Sequence, residues 1–109
     1  MIPYSTQSIS AADIRAVERV LLSGWLTQGP VIERFEKALA KKVGAKFAVA
    51  FNSGTAALHA AYYVAGIRKR DEVIVPALTF AATANAALYL GAVPVFADSD
   101  REYGNMSIS

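Results

Sequence analysis

The chain has 109 residues, 54% hydrophobic and 18% charged, with 11 Lys+Arg against 9 Asp+Glu for a net charge of +2. That length suits one small, apolar domain, and the interspersed charges speak against a nucleic-acid groove or a polybasic membrane patch. No cysteine is present, which excludes a disulfide scaffold and a Cys-based zinc site and fits a cytoplasmic setting.

The opening Met1-Ile2-Pro3-Tyr4-Ser5-Thr6-Gln7 has neither a basic n-region nor an apolar h-region, so it does not read as a signal peptide. Residues 1–9 read as extended, with Pro3 turning Ile2 away from helix. Ser10 offers an N-cap with Asp13 in the first turn, and Ile14, Val17 and Leu21 fall at helical spacing, so a helix is predicted over 11–22. Ser23-Gly24 stops it. The loop Trp25-Leu26-Thr27-Gln28-Gly29 holds the only tryptophan, which either plugs the domain's own core or faces a ligand or another subunit. Pro30 suits a first helical position. Val31, Ile32, Phe35, Leu39 and Val43 make one stripe and Glu33, Arg34, Glu36, Lys37, Lys41 and Lys42 the other, so 30–43 is a surface helix ended by Gly44.

Residues 46–51 are apolar on both faces beyond Lys46, as in a strand covered on both sides. Asn52-Ser53-Gly54-Thr55 then leads into an Ala-rich helix, predicted over 55–65 and largely buried. A strand, a tight turn with glycine and a helix leave free N–H groups at the positive end of the helix dipole, where a phosphate binds well. Ser53 and Thr55 add hydroxyls, and Gly54 lets the backbone come close. An ordinary N-cap by Ser53 or Thr55, with no ligand, is the other reading. His59 on this helix reads as a packed or capping residue rather than a catalyst, and there is no second histidine to share a metal.

Gly66 to Asp71 is a charged, solvated loop. Strands are predicted at 72–76 and 93–97, with an Ala-rich helix at 81–90 closed by Gly91. Phe80 follows the first of these strands and is either a core anchor or an exposed ring. The apolar run Val73 to Ala97 is interrupted by Pro76, Asn85, Gly91 and Pro94, so it is not a membrane span. Residues 101–109 are polar, without a clear element. The alternation argues a layered α/β domain with parallel strands, in which ligands bind at the strands' C-terminal ends. Ser53-Gly54-Thr55 and Thr79-Phe80 both follow strand ends. Together they could line one pocket for a flat, phosphorylated cofactor.

Several stretches together resemble the DegT/DnrJ/EryC1/StrS family of sugar aminotransferases: Ile2-Pro3-Tyr4-Ser5, Trp25-Leu26-Thr27-Gln28-Gly29-Pro30, Ser53-Gly54-Thr55-Ala56-Ala57-Leu58-His59, Glu72-Val73-Ile74-Val75-Pro76 with Thr79-Phe80-Ala81-Ala82-Thr83-Ala84-Asn85, and Gly91-Ala92-Val93-Pro94-Val95-Phe96 before Asp98. They fall in family order and spacing along essentially the whole chain. The resemblance implies the fold-type-I scaffold of pyridoxal-phosphate enzymes, a mainly parallel sheet with helices on both faces in three layers. Residues 1–109 would be the N-terminal arm, two helices and first three strands of its large domain, and the domain would be incomplete. The cofactor phosphate would lie on Ser53, Gly54 and Thr55, and Phe80 would stack on the pyridine ring. Tyr4, Gly24, Trp25, Leu26 and Thr27 would approach a nucleotide-linked keto-sugar, in an active site shared across a homodimer. The opening and Leu26-Thr27-Gln28-Gly29 look most like the subgroup that aminates UDP-4-keto-6-deoxy-N-acetylhexosamines on the way to pseudaminic acid, with glutamate as the expected amino donor.

The family's full chain is several times longer, and its Schiff-base lysine lies beyond the region represented. Lys37, Lys41, Lys42, Lys46 and Lys69 sit on a polar helix face, before a strand or in a charged loop. None reads as a buried, activated amine. The sequence therefore reads as an N-terminal fragment, inactive alone, without a catalytic residue of its own. A dehydratase on the same scaffold with the lysine replaced, a non-catalytic nucleotide- or phosphate-binding α/β module, and a truncated partner that only dimerises remain alternatives. The module reading lacks a Gly-x-Gly-x-x-Gly or a Walker lysine.

Overall fold

A computed structural model describes residues 5–107. In chain order these form helix α1 (Ala11–Leu21), helix α2 (Pro30–Val43), helix α3 (Gly54–Val64), strand β1 (Glu72–Pro76), helix α4 (Ala82–Tyr89) and strand β2 (Val93–Ala97). They divide into two compact units, one up to Ala50 and one from Phe51.

In the first unit α1 starts at a reciprocal cap. The Asp13 N–H donates to Ser10 Oγ at 3.3 Å, and the Ser10 N–H donates to Asp13 Oδ2 at 2.8 Å. Two otherwise orphaned donors are thereby satisfied. Ser23 closes the far end, its Oγ donating to the Val20 carbonyl at 2.7 Å. In α2, Pro30 occupies the first turn and Gly44, at φ 69°, ends the helix in the left-handed conformation that favours glycine. Lys37 and Glu33 pair one turn apart on its exposed face. The apolar stripes read from the sequence are present, but Ile14, Val17, Leu21, Phe35 and Val43 are exposed, and Ala40 alone is buried among the described residues of α1 and α2.

In the second unit β1 and β2 pair in parallel, Glu72 opposite Val93 through Pro76 opposite Ala97. Helix α4 connects them and packs on both, and α3 packs on α4. This is the parallel α/β arrangement read from the alternation of elements. The core is Val75, 1% exposed, against Ala82, Ala86, Ala87 and Ala92. Alanine side chains let the helix approach the two-stranded ladder closely, and burying Val75 contributes about 2 kcal/mol.

Three local expectations change. Residues 46–51, read as a strand, form neither helix nor ladder with any described residue. A strand is completed only by a neighbour's hydrogen bonds, and here the Ala50 N–H donates instead to Glu36 Oε1 at 2.8 Å. Helix α3, expected to be largely buried, has no buried residue, because among the described elements α4 is the one it packs against. The polar tail is ordered into a turn: Ser99 and Met106 form an antiparallel bridge, while Asp100 Oδ1 accepts from the N–H groups of Glu102 at 2.9 Å and Tyr103 at 2.8 Å. Asp at that position commonly bonds backbone two residues on, which is the turn signal that Asp100 carried.

Candidate cofactor and substrate site

The turn Ser53-Gly54-Thr55 lies at the start of α3, as its residues predict. Ser53 is the N-cap of α3, extended at φ −157° and ψ 156°, and Gly54 begins the helix. Ser53 Oγ accepts from the Ala56 N–H at 3.2 Å, and the Ser53 carbonyl accepts from the Ala57 N–H at 3.1 Å. The N–H groups of Gly54 and Thr55 have no partner among the described residues. Nothing lies within 4 Å of the point where a side chain on Gly54 would begin. The N-cap reading is present, and it leaves the other donors of the turn unused. The cap uses an acceptor lone pair of Ser53 and leaves its hydroxyl proton free to donate. Two free amides, two hydroxyls and the positive end of an 11-residue helix fit a phosphate group.

Phe80 lies in the loop between β1 and α4, 79% exposed, so it is no core anchor. That loop is tied down on either side of the ring. Thr79 Oγ1 and Thr83 Oγ1 share a hydrogen bond of 2.9 Å, and the Thr83 N–H donates to the Phe80 carbonyl at 3.0 Å. The Tyr62 hydroxyl of α3 donates to the Thr83 carbonyl at 3.3 Å. Sequence reasoning gave no role to Tyr62 or to Thr83, since the significance of an apolar-helix tyrosine depends on which helix lies beside it. His59 is a packing residue, its ring meeting Tyr89 edge-on at 5.4 Å between centroids.

The described residues expected to approach the substrate lie in the first unit. Gly24, Trp25, Leu26 and Thr27 are all exposed, and Trp25 at 65% exposure does not plug this unit's interior. The Trp25 N–H donates to Ser23 Oγ at 3.2 Å. Gly29 is required by proximity rather than by its backbone angles: a side chain there would meet Trp25 Cβ at 2.9 Å. Gln28 holds a left-handed backbone at φ 50°, a cost of order 1 kcal/mol that loops near ligands commonly carry. Trp25 walls two cavities, one of about 540 Å³ with Gln28, Ile32, Glu33 and Glu36, and one of about 390 Å³ with Arg19, Ser23 and Arg34. Tyr4 lies outside the described residues.

Two carboxylates of this unit are held below their ordinary pKa. Asp13 is lowered first by the Ser10 backbone donor and then by its hydroxyl, and Glu33 by the hydrogen bond and charge of Lys37. The five lysines Lys37, Lys41, Lys42, Lys46 and Lys69 are all exposed, and Lys46 lies over the Phe47 ring. An amine activated for Schiff-base chemistry needs a desolvated or electropositive surrounding, which exposed lysines lack. Among the described residues there is no group of three or more His, Cys, Asp or Glu placed to hold a metal, and no helix is long and apolar enough to cross a membrane.

Similarity to known proteins bears on this geometry. The spore coat polysaccharide biosynthesis protein SpsC of Bacillus subtilis is 50% identical over 105 residues, 96% of this chain and 27% of that protein. The putative sugar aminotransferase Spr1654 of Streptococcus pneumoniae, solved in its PLP, PMP and apo forms, superposes with a TM-score of 0.86 at 37% identity, covering 97% of this chain and 27% of that one. The aminotransferase from Psychrobacter cryohalolentis gives the same TM-score and identity over 96% of this chain and 27% of its own. This chain thus spans about a quarter of the length of the relatives it matches. The family model that fits it covers residues 7–109, taking in the Trp25 loop, the α3 turn and Phe80, and with it the chain belongs to the DegT/DnrJ/EryC1/StrS aminotransferase family.

Proposed function

We propose that this chain is the N-terminal part of a pyridoxal-phosphate-dependent aminotransferase acting on a nucleotide-linked keto-sugar. The observation that carries the reading is the start of α3, where the free amides of Gly54 and Thr55 and the hydroxyls of Ser53 and Thr55 meet at a helix N-terminus. In this reading they hold the cofactor phosphate, and Phe80 supplies the ring that stacks on the pyridine. The cofactor, when bound, serves as the electron sink for amino transfer, and the protein's part is to bind and orient it. Residues 1–109 form an N-terminal arm, two helices and the first part of an incomplete large domain of three layers, and segment 46–51 becomes a strand when later strands pair with it. The exposed state of all five lysines supports a Schiff-base lysine outside these residues.

The substrate is a UDP-4-keto-6-deoxy-N-acetylhexosamine or a close analogue, approached by Tyr4 and by Gly24, Trp25, Leu26 and Thr27. Glutamate is the amino donor, and the enzyme works in the cytoplasm as a homodimer. The match to a polysaccharide biosynthesis protein supports the sugar, and the exposed apolar stripes of α1 and α2 support a further protein surface over them.

The test is the full-length protein with Ser53→Ala and Thr55→Val together. Cofactor binding should weaken by about 1–3 kcal/mol, the range for lost hydrogen bonds to a charged group. Unchanged affinity in a spectroscopic titration would remove these hydroxyls from the phosphate site. Release of 2-oxoglutarate from glutamate in the presence of the keto-sugar nucleotide checks the reaction.

A further inference from the structure

We infer that Tyr62 and Thr83 are positioning residues that fix the Phe80 ring relative to the phosphate turn. The inference rests on the cofactor reading of Ser53, Gly54, Thr55 and Phe80. Helix α3 carries the turn at its N-terminal end and Tyr62 near its other end. A helix of this length is stiff, so whatever is bonded to Tyr62 is held at a set place relative to the turn. What is bonded is the Thr83 carbonyl, at 3.3 Å. Thr83 in turn grips the Phe80 loop from two sides, by its N–H to the Phe80 carbonyl at 3.0 Å and by the hydroxyl pair with Thr79 at 2.9 Å.

The ring contact within the α3–α4 packing lies far from Phe80. His59 of α3 meets Tyr89 at the C-terminal end of α4, the end away from Phe80. The start of α4 has no side-chain cap of its own. The start of α4 stays seated by its buried Ala82, but without the Tyr62 hydroxyl the residue that grips the Phe80 loop loses a bond to α3, and the loop is less firmly set. Tyr62 is part-buried, so its hydroxyl is not well served by water alone. A ligand that touches both the turn and the ring gains from their being pre-set, whereas a ligand that touches the turn alone gains nothing.

The test uses full-length apoprotein with two probes, pyridoxamine phosphate and inorganic phosphate as its competitor. Tyr62→Phe should weaken pyridoxamine phosphate about 3- to 10-fold, the size of one net hydrogen bond, and leave phosphate unchanged. In a Phe80→Ala background, Tyr62→Phe should cost nothing further. Thr83→Val should act in the same sense, with Thr83→Ser restoring the affinity through the Thr79 partner. A parallel loss for both probes, a loss that persists without the Phe80 ring, or no loss at all would overturn the inference while the wild type still binds the cofactor. A wild-type protein that binds neither probe overturns the functional reading and this inference together.

Discussion

Helices α1 and α2 of the first unit and helix α4 of the second treat apolar residues in opposite ways. In the first, α1 and α2 are sharply two-faced, with Ile14, Val17 and Leu21 on one stripe and Val31, Ile32, Phe35 and Leu39 on the other, and all of these are exposed. In the second, α4 has apolar residues nearly all round and little two-sidedness, yet it buries Ala82, Ala86 and Ala87. Periodicity announces that a face is suited to burial; what buries it is the element that lies beside it. Helix α4 has a parallel ladder on one side and α3 on another, connected to it by short stretches of chain. The two-faced helices have no such neighbour among the described elements, so their apolar surface is available to other parts of the protein or to a second copy.

The largest test of that contrast is the chain by itself. Residues 1–109 alone should show no aminotransferase activity and should self-associate, because exposed apolar stripes and free strand edges favour association. Borohydride reduction with pyridoxal phosphate, read by mass spectrometry, should give no stoichiometric adduct on any one lysine. One adduct on one lysine, or a well-dispersed monomeric NMR spectrum, would break the comparison.

A second test reads the difference directly as stability. In the same chain, diluted until it is monomeric, Val75→Ala should cost about 2 kcal/mol, since Val75 is 1% exposed in the core beside α4. Val17→Ala, at an exposed position of α1, should stay within about 0.5 kcal/mol. Denaturant midpoints that move equally would mean that α1 is packed after all.

Trp25 sharpens the contrast on the functional side. In the full-length protein Trp25→Ala should lower activity on the nucleotide-sugar about tenfold, on the scale of a buried aromatic anchor, with cofactor loading nearly intact. Collapse of loading and of the thermal midpoint together would make it a structural plug.

The smallest effect concerns the α1 cap. Asp13 is held below its ordinary pKa by donors from Ser10. A carboxylate lowered in the folded state contributes stability above its unfolded pKa, and that contribution is lost as pH falls through the folded value. Helicity by circular dichroism should therefore decline slightly between about pH 5 and pH 3, and Asp13→Asn should flatten that part of the titration. A decline of the same size in the variant would place the acid sensitivity elsewhere.

Much of the molecule was legible in its residues because the signals are local. Ser10 with Asp13, Pro30 and Gly44 mark helix ends through bonds and backbone angles made within a few residues. Ser53-Gly54-Thr55 marks a helix start for the same reason, and free amides come with any such start. The alternation of apolar strands with Ala-rich helices was enough for a parallel α/β unit. Tertiary structure decided the rest. It settled whether 46–51 pairs as a strand, since a ladder needs a second backbone, and it exposed α3, since burial needs a neighbour. It also brought Tyr62 to Thr83, residues of two helices with two loops and a strand between them. No spacing along the chain encodes that meeting; it follows from how α3 and α4 cross once both are folded.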